Sequence, residues 1–337
     1  MAARRSRRRR APRDRPDSSP QNLEDPTALF DELGGDVPGR PATEEFAAPE
    51  PESGPQAGQG AVPRAPGRRS RRARFETLAR LLVVVPWIIF AVLIIIAGGV
   101  PFMFAMMGLA FLGLVEFFRM TADARPFVPV AFAVVAGVIV AAHYDTGRTA
   151  ALIGGLSFPA MFVFAAGRPS REGSTISFGV TLLAIAWIGA PFAHAVLLRD
   201  LPLHGGALLI DVLVGTFAAD TAAYFGGRLF GRHPLAPNLS PNKTVEGVIA
   251  GFVGGTLGFW FAGLYQDWLT GADALLMGAV IALVAPMGDL FESMIKRDLA
   301  VKDTGRAFGP HGGMLDRLDG VLFTVVAGFY LSIALVY

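Results

Sequence analysis

Long, uninterrupted apolar runs recur along the chain from position 81 onward, and short segments rich in charge separate them. The runs approach the roughly 20 residues that a helix needs to cross a bilayer, and they lack the two-residue alternation of membrane β-strands. The pattern therefore predicts an all-α, polytopic membrane protein with about nine transmembrane helices. The predicted spans are 81–98, 101–118, 127–143, 149–166, 175–197, 207–226, 247–266, 274–292 and 320–337.

Residues 1–74 differ from the rest of the chain, because they are rich in arginine, proline, glycine and acidic residues and poor in apolar ones. Such a segment buries too little apolar surface to offset its ordering entropy, which predicts a disordered tail followed by a membrane domain over 75–337. The arginines of residues 4–10 could bind anionic headgroups or nucleic acid. We favour a solubilising tail with an orientation signal at 68–80, and expect no nucleic-acid partner.

Basic residues concentrate on one side of the predicted membrane. With the tail inside, the inner loops hold twelve lysines and arginines, whereas the outer loops hold only Arg148 and Arg199. This asymmetry predicts a multi-pass protein of the cell inner (plasma) membrane with a cytoplasmic N-terminus. The chain has 27 arginines and three lysines, and all three lysines lie in the two largest inner loops, 227–246 and 293–319. Lysine is a compact charge often used against phosphate.

Acidic residues inside the predicted spans indicate a functional site, because burying them in a membrane is costly. Asp220 and Asp289 lie near the inner ends of two different spans. Asp289, Glu292, Ser293 and Lys296 follow the spacing i, i+3, i+4, i+7, so they share one helix face. Carboxylates from two helices beside lysines predict a Mg²⁺ site held by Asp220, Asp289 and Glu292, with simple ion pairing as the alternative.

Two other acids lie in the predicted spans, and the absence of cysteine limits the kinds of active site that the chain can form. Glu116 lies at an inner helix end, where an ion pair and a substrate role stay equally open. Asp211 lies nearer the outer surface and half a turn out of phase with Asp220, so we interpret it as an interfacial or packing residue. The chain contains no cysteine, which excludes disulfides, thiol catalysis and cysteine-ligated metals.

The loop from 226 to 247 has the composition of a phosphate-binding segment. Ser240, Asn242, Lys243, Thr244 and Glu246 place hydroxyls, an amide and charges immediately before a predicted helix. Backbone N–H groups at a helix start attract anions, which favours phosphate binding here. Ordinary helix capping by Thr244 and Glu246 is the structural alternative.

The loop from 293 to 319 combines high charge density with glycines. Residues 309–313 predict a tight turn whose exposed N–H groups, at Gly312 and Gly313, face a nucleotide phosphate. We expect the acids in this segment to supply metal ligands or to orient basic groups. For His311, a structural hydrogen bond and a catalytic role both stay open. The basic residues around the turn are Lys296, Arg297, Lys302, Arg306 and Arg317, and the acids are Asp303, Asp316 and Asp319.

These motifs together resemble a known protein family. The second loop resembles the signature of the phosphatidate cytidylyltransferases, also called CDP-diglyceride synthases. The matching positions are Ser293, Lys296-Arg297, Lys302-Asp303, Gly305, Phe308, His311-Gly-Gly313 and Asp316-Arg-Leu-Asp319. Residues 220–230, 239–247 and 116–120 resemble further family blocks. Asn242 and Val245 depart from the family pattern, which commonly has lysine and tryptophan there.

The resemblance covers roughly residues 80–337 and makes the membrane domain catalytic. It implies transfer of CMP from CTP to phosphatidate, giving CDP-diacylglycerol and pyrophosphate for phospholipid biosynthesis. It also implies Mg²⁺ and a second cation such as K⁺, with Asp220 and Asp289 as metal-binding acids. The residues expected to act in catalysis are Asp220, Asp289, Lys243, Lys296, Arg297, Lys302, Asp303, His311, Asp316, Arg317 and Asp319. Those expected to bind the nucleotide are Ser240, Asn242, Thr244, Glu246, Ser293, Gly312 and Gly313.

Two other functions and one assembly state also fit the sequence. A CTP-dependent polyprenol kinase would use similar groups but release CDP, and an ion-coupled transporter would use Asp220 and Asp289 as an ion site. The clustering of strong motifs on one side favours the cytidylyltransferase over alternating access. A homodimer is a further prediction, because Gly251, Gly254 and Gly255 permit close helix contact among the surrounding membrane lipids.

Overall fold

The computed structural model describes residues 88–145, 148–305 and 312–337, and the predicted disordered tail lies outside these residues. Nine α-helices make up most of the described chain. They are α1 (Ile88–Ala97), α2 (Gly99–Met120), α3 (Val128–Tyr144), α4 (Arg148–Ala166), α5 (Ser174–Arg199), α6 (Gly205–Phe230), α7 (Val245–Gly263), α8 (Gly271–Asp298) and α9 (Leu315–Leu335). A short antiparallel pair, β1 (Pro234–Ala236) and β2 (Ser240–Thr244), connects α6 to α7.

The described helices have the length and composition of a membrane bundle. Seven of them, all except α1 and α3, are long and apolar enough to cross a bilayer, and those two are shorter apolar helices. Large apolar side chains such as Phe162 and Val163 are exposed on α4, as expected for a surface that faces lipid. The predicted class of helical, polytopic membrane protein is confirmed, while the number of nine spans stays a prediction.

Small residues bring α6, α7 and α8 into close contact. A Cβ atom at Gly255 of α7 would lie 2.7 Å from the Cβ of Ala219 on α6 and 2.8 Å from the Cβ of Ala282 on α8. Such backbone approach is typical of membrane helices, where packing rather than water exclusion stabilises association. The glycine face that suggested a homodimer therefore packs within the chain, and the dimer stays an untested prediction.

Three helices extend further than the hydropathy pattern predicted. Helix α6 continues to Phe230 and α8 to Asp298, while α9 begins at Leu315 rather than at position 320. Gly226 is thus helical, and it has no side chain because the Cβ of Ala250 on α7 occupies that space. Lys296 of α8 and Asp316 of α9 are helical too, and their side chains form an ion pair between the two helices at 2.9 Å. Hydropathy ends a span where charge begins, whereas the helix continues when its charges find partners.

Candidate active site

The site is built around three carboxylates at one end of the bundle. Asp289 and Glu292 lie one turn apart on α8, and Asp319 lies on the first turns of α9. Their carboxylate oxygens lie within 4.8 Å of one another. The two helices come this close because Gly288 has no side chain, and the backbone carbonyl of Asp319 occupies the space that a Cβ would need.

Asp220 of α6 adds a fourth carboxylate to this group. It is close enough to Asp289 and Asp319 for their charges to interact. A Cβ at Gly320 would lie 3.8 Å from the Oδ2 atom of Asp220, which is ordinary contact distance, so the Asp220 side chain reaches the start of α9. We call Asp220, Asp289, Glu292 and Asp319 the acid cluster. The sequence analysis named three of these acids as metal candidates and put Asp319 among the acids that bind metal or orient basic groups, and these roles stay predictions.

Two of the three lysines contact the acid cluster. Lys243 of β2 places its Nζ atom 2.5 Å from the Oδ2 atom of Asp289. Lys296 of α8 lies 3.2 Å from the Oε2 atom of Glu292 and 2.9 Å from the Oδ1 atom of Asp316. Both ammonium groups are largely shielded from solvent, which strengthens their interaction with neighbouring anions. The predicted association of lysines and acids is present at these two positions.

The acids of the cluster differ in access. The side chain of Asp289 is 41% exposed, whereas that of Glu292 is 2% exposed. Within the described residues, the Oε1 atom of Glu292 is buried and has no hydrogen-bond partner. A buried, unpartnered carboxylate oxygen is costly unless a ligand satisfies it. It belongs to a carboxylate that lies close to those of Asp289 and Asp319, so it is a candidate cation ligand.

Asp316 organises the segment between α8 and α9. Its Oδ1 atom accepts from Lys296, and its Oδ2 atom accepts from the backbone and hydroxyl of Thr304, both at 3.0 Å. The same Oδ2 atom accepts the N–H of Gly313 at 2.8 Å. This N–H was expected to be exposed to phosphate, but it is engaged within the protein. Asp316 is thus placed to orient Lys296 rather than to ligate a metal.

Glu116 is a structural centre of the site whose role the sequence left open. This residue of α2 is 4% exposed, and its carboxylate accepts the backbone N–H groups of Met314 and Leu315 at 2.8–3.1 Å. Those N–H groups belong to the first turn of α9, where four donors lack helical partners and the helix dipole favours a negative charge. Gly305 and Gly313 surround this carboxylate so closely that a Cβ at either position would overlap it.

The segment before α7 is folded as a hairpin rather than as an open loop. The hydroxyl of Thr244 accepts the N–H of Gly247 at 3.1 Å, so Thr244 caps α7 as the structural alternative predicted. Glu246 accepts the backbone N–H groups of Arg232 and His233, and its carboxylate pairs with the ring of His233 at 2.6 Å. Both side chains therefore hold the hairpin that positions Lys243.

The other predicted site residues lie around this centre at different distances from it. Ser293 is half-buried on the face of α8 that carries the acids, and Ser240 and Asn242 lie on β2. Arg297 is exposed and donates to the carbonyl of Leu239 at 3.3 Å, which ties α8 to the hairpin. Three further residues of the segment between α8 and α9 and of the start of α9 are exposed, and we call them the rim: Lys302, Asp303 and Arg317.

The predicted glycine turn is described only at its end. Gly312 has a φ of 90°, a conformation that favours glycine. His311 and Arg306 lie outside the described residues, so their predicted roles stay predictions.

Comparison with known proteins places these residues in a recognised family region. Residues 78–335 match a family model described as the cytidylyltransferase family. A phosphatidate cytidylyltransferase of Mycobacterium leprae is 38% identical over 149 residues, which cover 44% of this chain and 47% of that protein. One from Thermotoga maritima is 35% identical over 168 residues, covering 48% and 60%. A third, from Helicobacter pylori, is 45% identical over 121 residues, covering 35% and 44%. The matched part of this chain spans about half the length of these relatives.

Proposed function

The chain belongs to the cytidylyltransferase family, and from this premise we propose that it transfers CMP from CTP to phosphatidate. The products are CDP-diacylglycerol, a precursor in phospholipid biosynthesis, and pyrophosphate. The observation that carries the proposal is the acid cluster, which three membrane helices bring together beside Lys243 and Lys296. The names of the curated relatives supply the substrates, and the geometry supplies the polyphosphate chemistry.

The position of the acid cluster suits one lipid substrate and one soluble substrate. Asp289 lies nine residues before the end of an apolar 28-residue helix, close to where the membrane-spanning part gives way to the charged segment. Phosphatidate can keep its acyl chains in the bilayer while its phosphate reaches this level. CTP approaches from water along the basic rim. We also propose that this end of the bundle faces the cytoplasm of the cell, because twelve of fourteen basic loop residues are predicted on that side.

The proposed reaction is a direct displacement at phosphorus. A phosphate oxygen of phosphatidate attacks the α-phosphorus of CTP, and the bond from that phosphorus to the oxygen bridging the β-phosphate breaks. Pyrophosphate leaves with that bridging oxygen, and no covalent intermediate on the protein is needed. Lys243 and Lys296 act as fixed positive charges toward the phosphates, since their ammonium groups are already held in place by acids.

The acid cluster fits a magnesium ion. Carboxylate oxygens are the protein ligands that Mg²⁺ prefers, and Asp289, Glu292 and Asp319 offer three within 4.8 Å of one another. Asp220 is near enough to contribute, and the buried Oε1 atom of Glu292 lacks a described partner. When bound, the ion would neutralise negative charge on the substrate phosphates. A second cation such as K⁺, which the family resemblance implies, belongs to the same proposal.

Replacing Glu292 with glutamine is expected to raise the Mg²⁺ concentration needed for half-maximal activity by about 10- to 100-fold. The substitution keeps the size of the side chain but removes one negative charge from the cluster. Activity is titrated with MgCl₂ in detergent, with Glu172→Gln as a matched control because Glu172 is exposed in a distant loop. An unchanged Mg²⁺ titration for Glu292→Gln would exclude this residue as a ligand.

The proposed activity is tested by following both products from purified protein. The assay mixes CTP labelled at its α-phosphate with phosphatidate and Mg²⁺, and separates lipid from water-soluble products. We expect label in CDP-diacylglycerol and one pyrophosphate per lipid product. Labelled CDP among the water-soluble products, with no label in the lipid, would instead indicate a lipid kinase, and the absence of any nucleotide turnover would contradict both enzyme functions. A reaction without phosphatidate is the control.

A further inference from the structure

An apolar groove lies in the membrane-spanning part of the bundle, between helices that carry the acid cluster and α5. It has a volume of about 430 Å³ and lies between α5, α8 and α9. Its walls include Trp187 from α5, Phe291 from α8 and Leu322, Phe323 and Val326 from α9. Ala186 at its edge is exposed, so the groove is open toward the surface that faces lipid.

The groove begins close to the proposed reaction centre along α9. Asp319, Leu322, Phe323 and Val326 follow the spacing i, i+3, i+4, i+7, so they form one stripe along this helix. The first groove residue on α9, Leu322, is therefore three residues, ~4.5 Å, deeper than the acid. On α8, Phe291 directly precedes Glu292 and lines the groove. A molecule whose phosphate reaches the acid cluster would thus place its next few atoms at the mouth of the groove.

Trp187 has an indole N–H group without a hydrogen-bond partner among the described residues. This residue is 5% exposed, and its Nε1–H has no hydrogen-bond acceptor among the described residues. Its ring is held by edge contacts with Phe117 at 5.8 Å and with Phe291 at 5.2 Å between ring centroids. Indole N–H groups that are buried usually find a partner, so an unpaired one beside a groove points to a ligand with an acceptor.

The local backbone of α5 reinforces this interpretation. Residues Ile185–Gly189 form a π-helical turn inside α5, and Ala186 and Trp187 lie within it. Single π-helical turns are energetically unfavourable and occur frequently at functional sites, because they reorient one or two side chains. Here the turn lies where α5 borders the groove, and it carries the one described tryptophan that lines it.

We propose that the groove binds the acyl part of phosphatidate next to its glycerol, and that Trp187 Nε1–H donates to an ester carbonyl of that lipid. The proposal rests on the proposed function, because the phosphate of the bound lipid must reach the acid cluster. The ester carbonyl is the first acceptor that follows the glycerol phosphate, and apolar chain follows it. The order of groups in the lipid therefore matches the order of acid cluster, indole N–H and apolar wall.

The hydrogen bond is tested with Trp187→Phe and two forms of the lipid substrate. Ester-linked and ether-linked phosphatidate differ in the carbonyl, which the ether form lacks. We expect wild-type protein to show a KM about three- to tenfold higher for the ether lipid. Trp187→Phe should raise the KM for the ester lipid by the same factor, leave the KM for CTP unchanged, and no longer discriminate between the two lipids. Trp260→Phe makes the same change outside the groove and should keep the discrimination.

Occupancy of the groove is tested with a phosphatidate that carries a photoreactive diazirine near its ester. We expect cross-links to the α5 and α9 residues of the groove, displaced by unlabelled phosphatidate. Ala186→Phe, which fills the open edge, should reduce them about tenfold, whereas Ala334→Phe, at an exposed position near the end of α9, should not.

Several results would overturn the groove proposal while the proposed activity stands. One is an active wild-type protein whose Trp187→Phe variant still has a lower KM for the ester lipid than for the ether lipid. Another is cross-linking of the groove that photoreactive phosphatidylcholine produces to the same extent and that unlabelled phosphatidate does not displace. Cross-links that join two copies of the chain through the groove would likewise assign it to an interface. Loss of CDP-diacylglycerol formation in the wild type would instead refute the proposed function itself.

Discussion

Asp289→Asn is expected to lower kcat/KM by about 10³-fold with little change in stability. The substitution removes a charge from an acid of the cluster that solvent can reach, and it leaves Lys243 without its counter-ion at 2.5 Å. Both effects act on the groups that face the substrate phosphates. Turnover is measured with labelled CTP and phosphatidate, and thermal unfolding in detergent shows that the variant is folded.

The matched control for Asp289→Asn lies on the same helix. Asp273 belongs to the first turn of α8, where it accepts from the hydroxyl of Thr270, far from the acid cluster. Asp273→Asn makes the same chemical change, and asparagine serves equally well near a helix start, so activity should stay within about twofold of wild type. Near-normal turnover of Asp289→Asn, with this control also active, would remove Asp289 from the proposed metal site.

The sequence predicted well what depends on neighbouring residues of one helix. The spacing of Asp289, Glu292 and Lys296 fixes them on one face of α8, and the ion pair between Glu292 and Lys296 is the local result. Asp211 was interpreted as an interfacial or packing residue because of its phase and depth. It is fully buried, and its carboxylate accepts from Gln266 at 2.6 Å. Both conclusions needed only helical periodicity and the position of the span.

Contacts between distant parts of the chain were not predictable in the same way. Glu116 and Met314 are 198 residues apart, and nothing in the local sequence of either shows that they meet. Asp316 carries the family signature, yet its contacts with Thr304 and Gly313 give it an organising role that spacing alone does not distinguish from metal binding. Which acid binds a cation and which holds a loop depends on helix packing, and packing here depends on glycines such as Gly288.

The small hairpin shows a second limit of sequence patterns. Residues 226–247 contain prolines and glycines and little periodicity, which favoured an irregular phosphate-binding loop. Instead, Glu246 gathers the N–H groups of Arg232 and His233, and this long-range contact closes β1 against β2. The hairpin then directs Lys243 toward Asp289. Thr244 and Glu246 thus hold the hairpin that carries this lysine, and the phosphate binding expected of this segment stays a prediction.

Glu116 is the residue on which the geometry of this whole end of the bundle depends. Its buried carboxylate accepts two backbone N–H groups at the start of α9, which carries Asp316 and Asp319. In Glu116→Gln, the side chain keeps its size but loses its charge and one acceptor oxygen. The new NH₂ group is a donor, so it cannot accept a backbone N–H as the carboxylate oxygen does. We expect a loss of about 2 kcal/mol or more in unfolding free energy, since hydrogen bonds to a charged group are among the strongest.

The expected effect of Glu116→Gln on catalysis is larger than its effect on folding, although Glu116 does not line the acid cluster. If α9 shifts by about 1 Å at its start, Asp319 and the Asp316–Lys296 pair move out of register with α8, which can lower kcat by about 10²-fold. The measurements are turnover and thermal unfolding, with Glu172→Gln as the exposed control. A variant with reduced stability and wild-type kcat would show that α9 keeps its position without this carboxylate, because a shifted α9 would lower kcat.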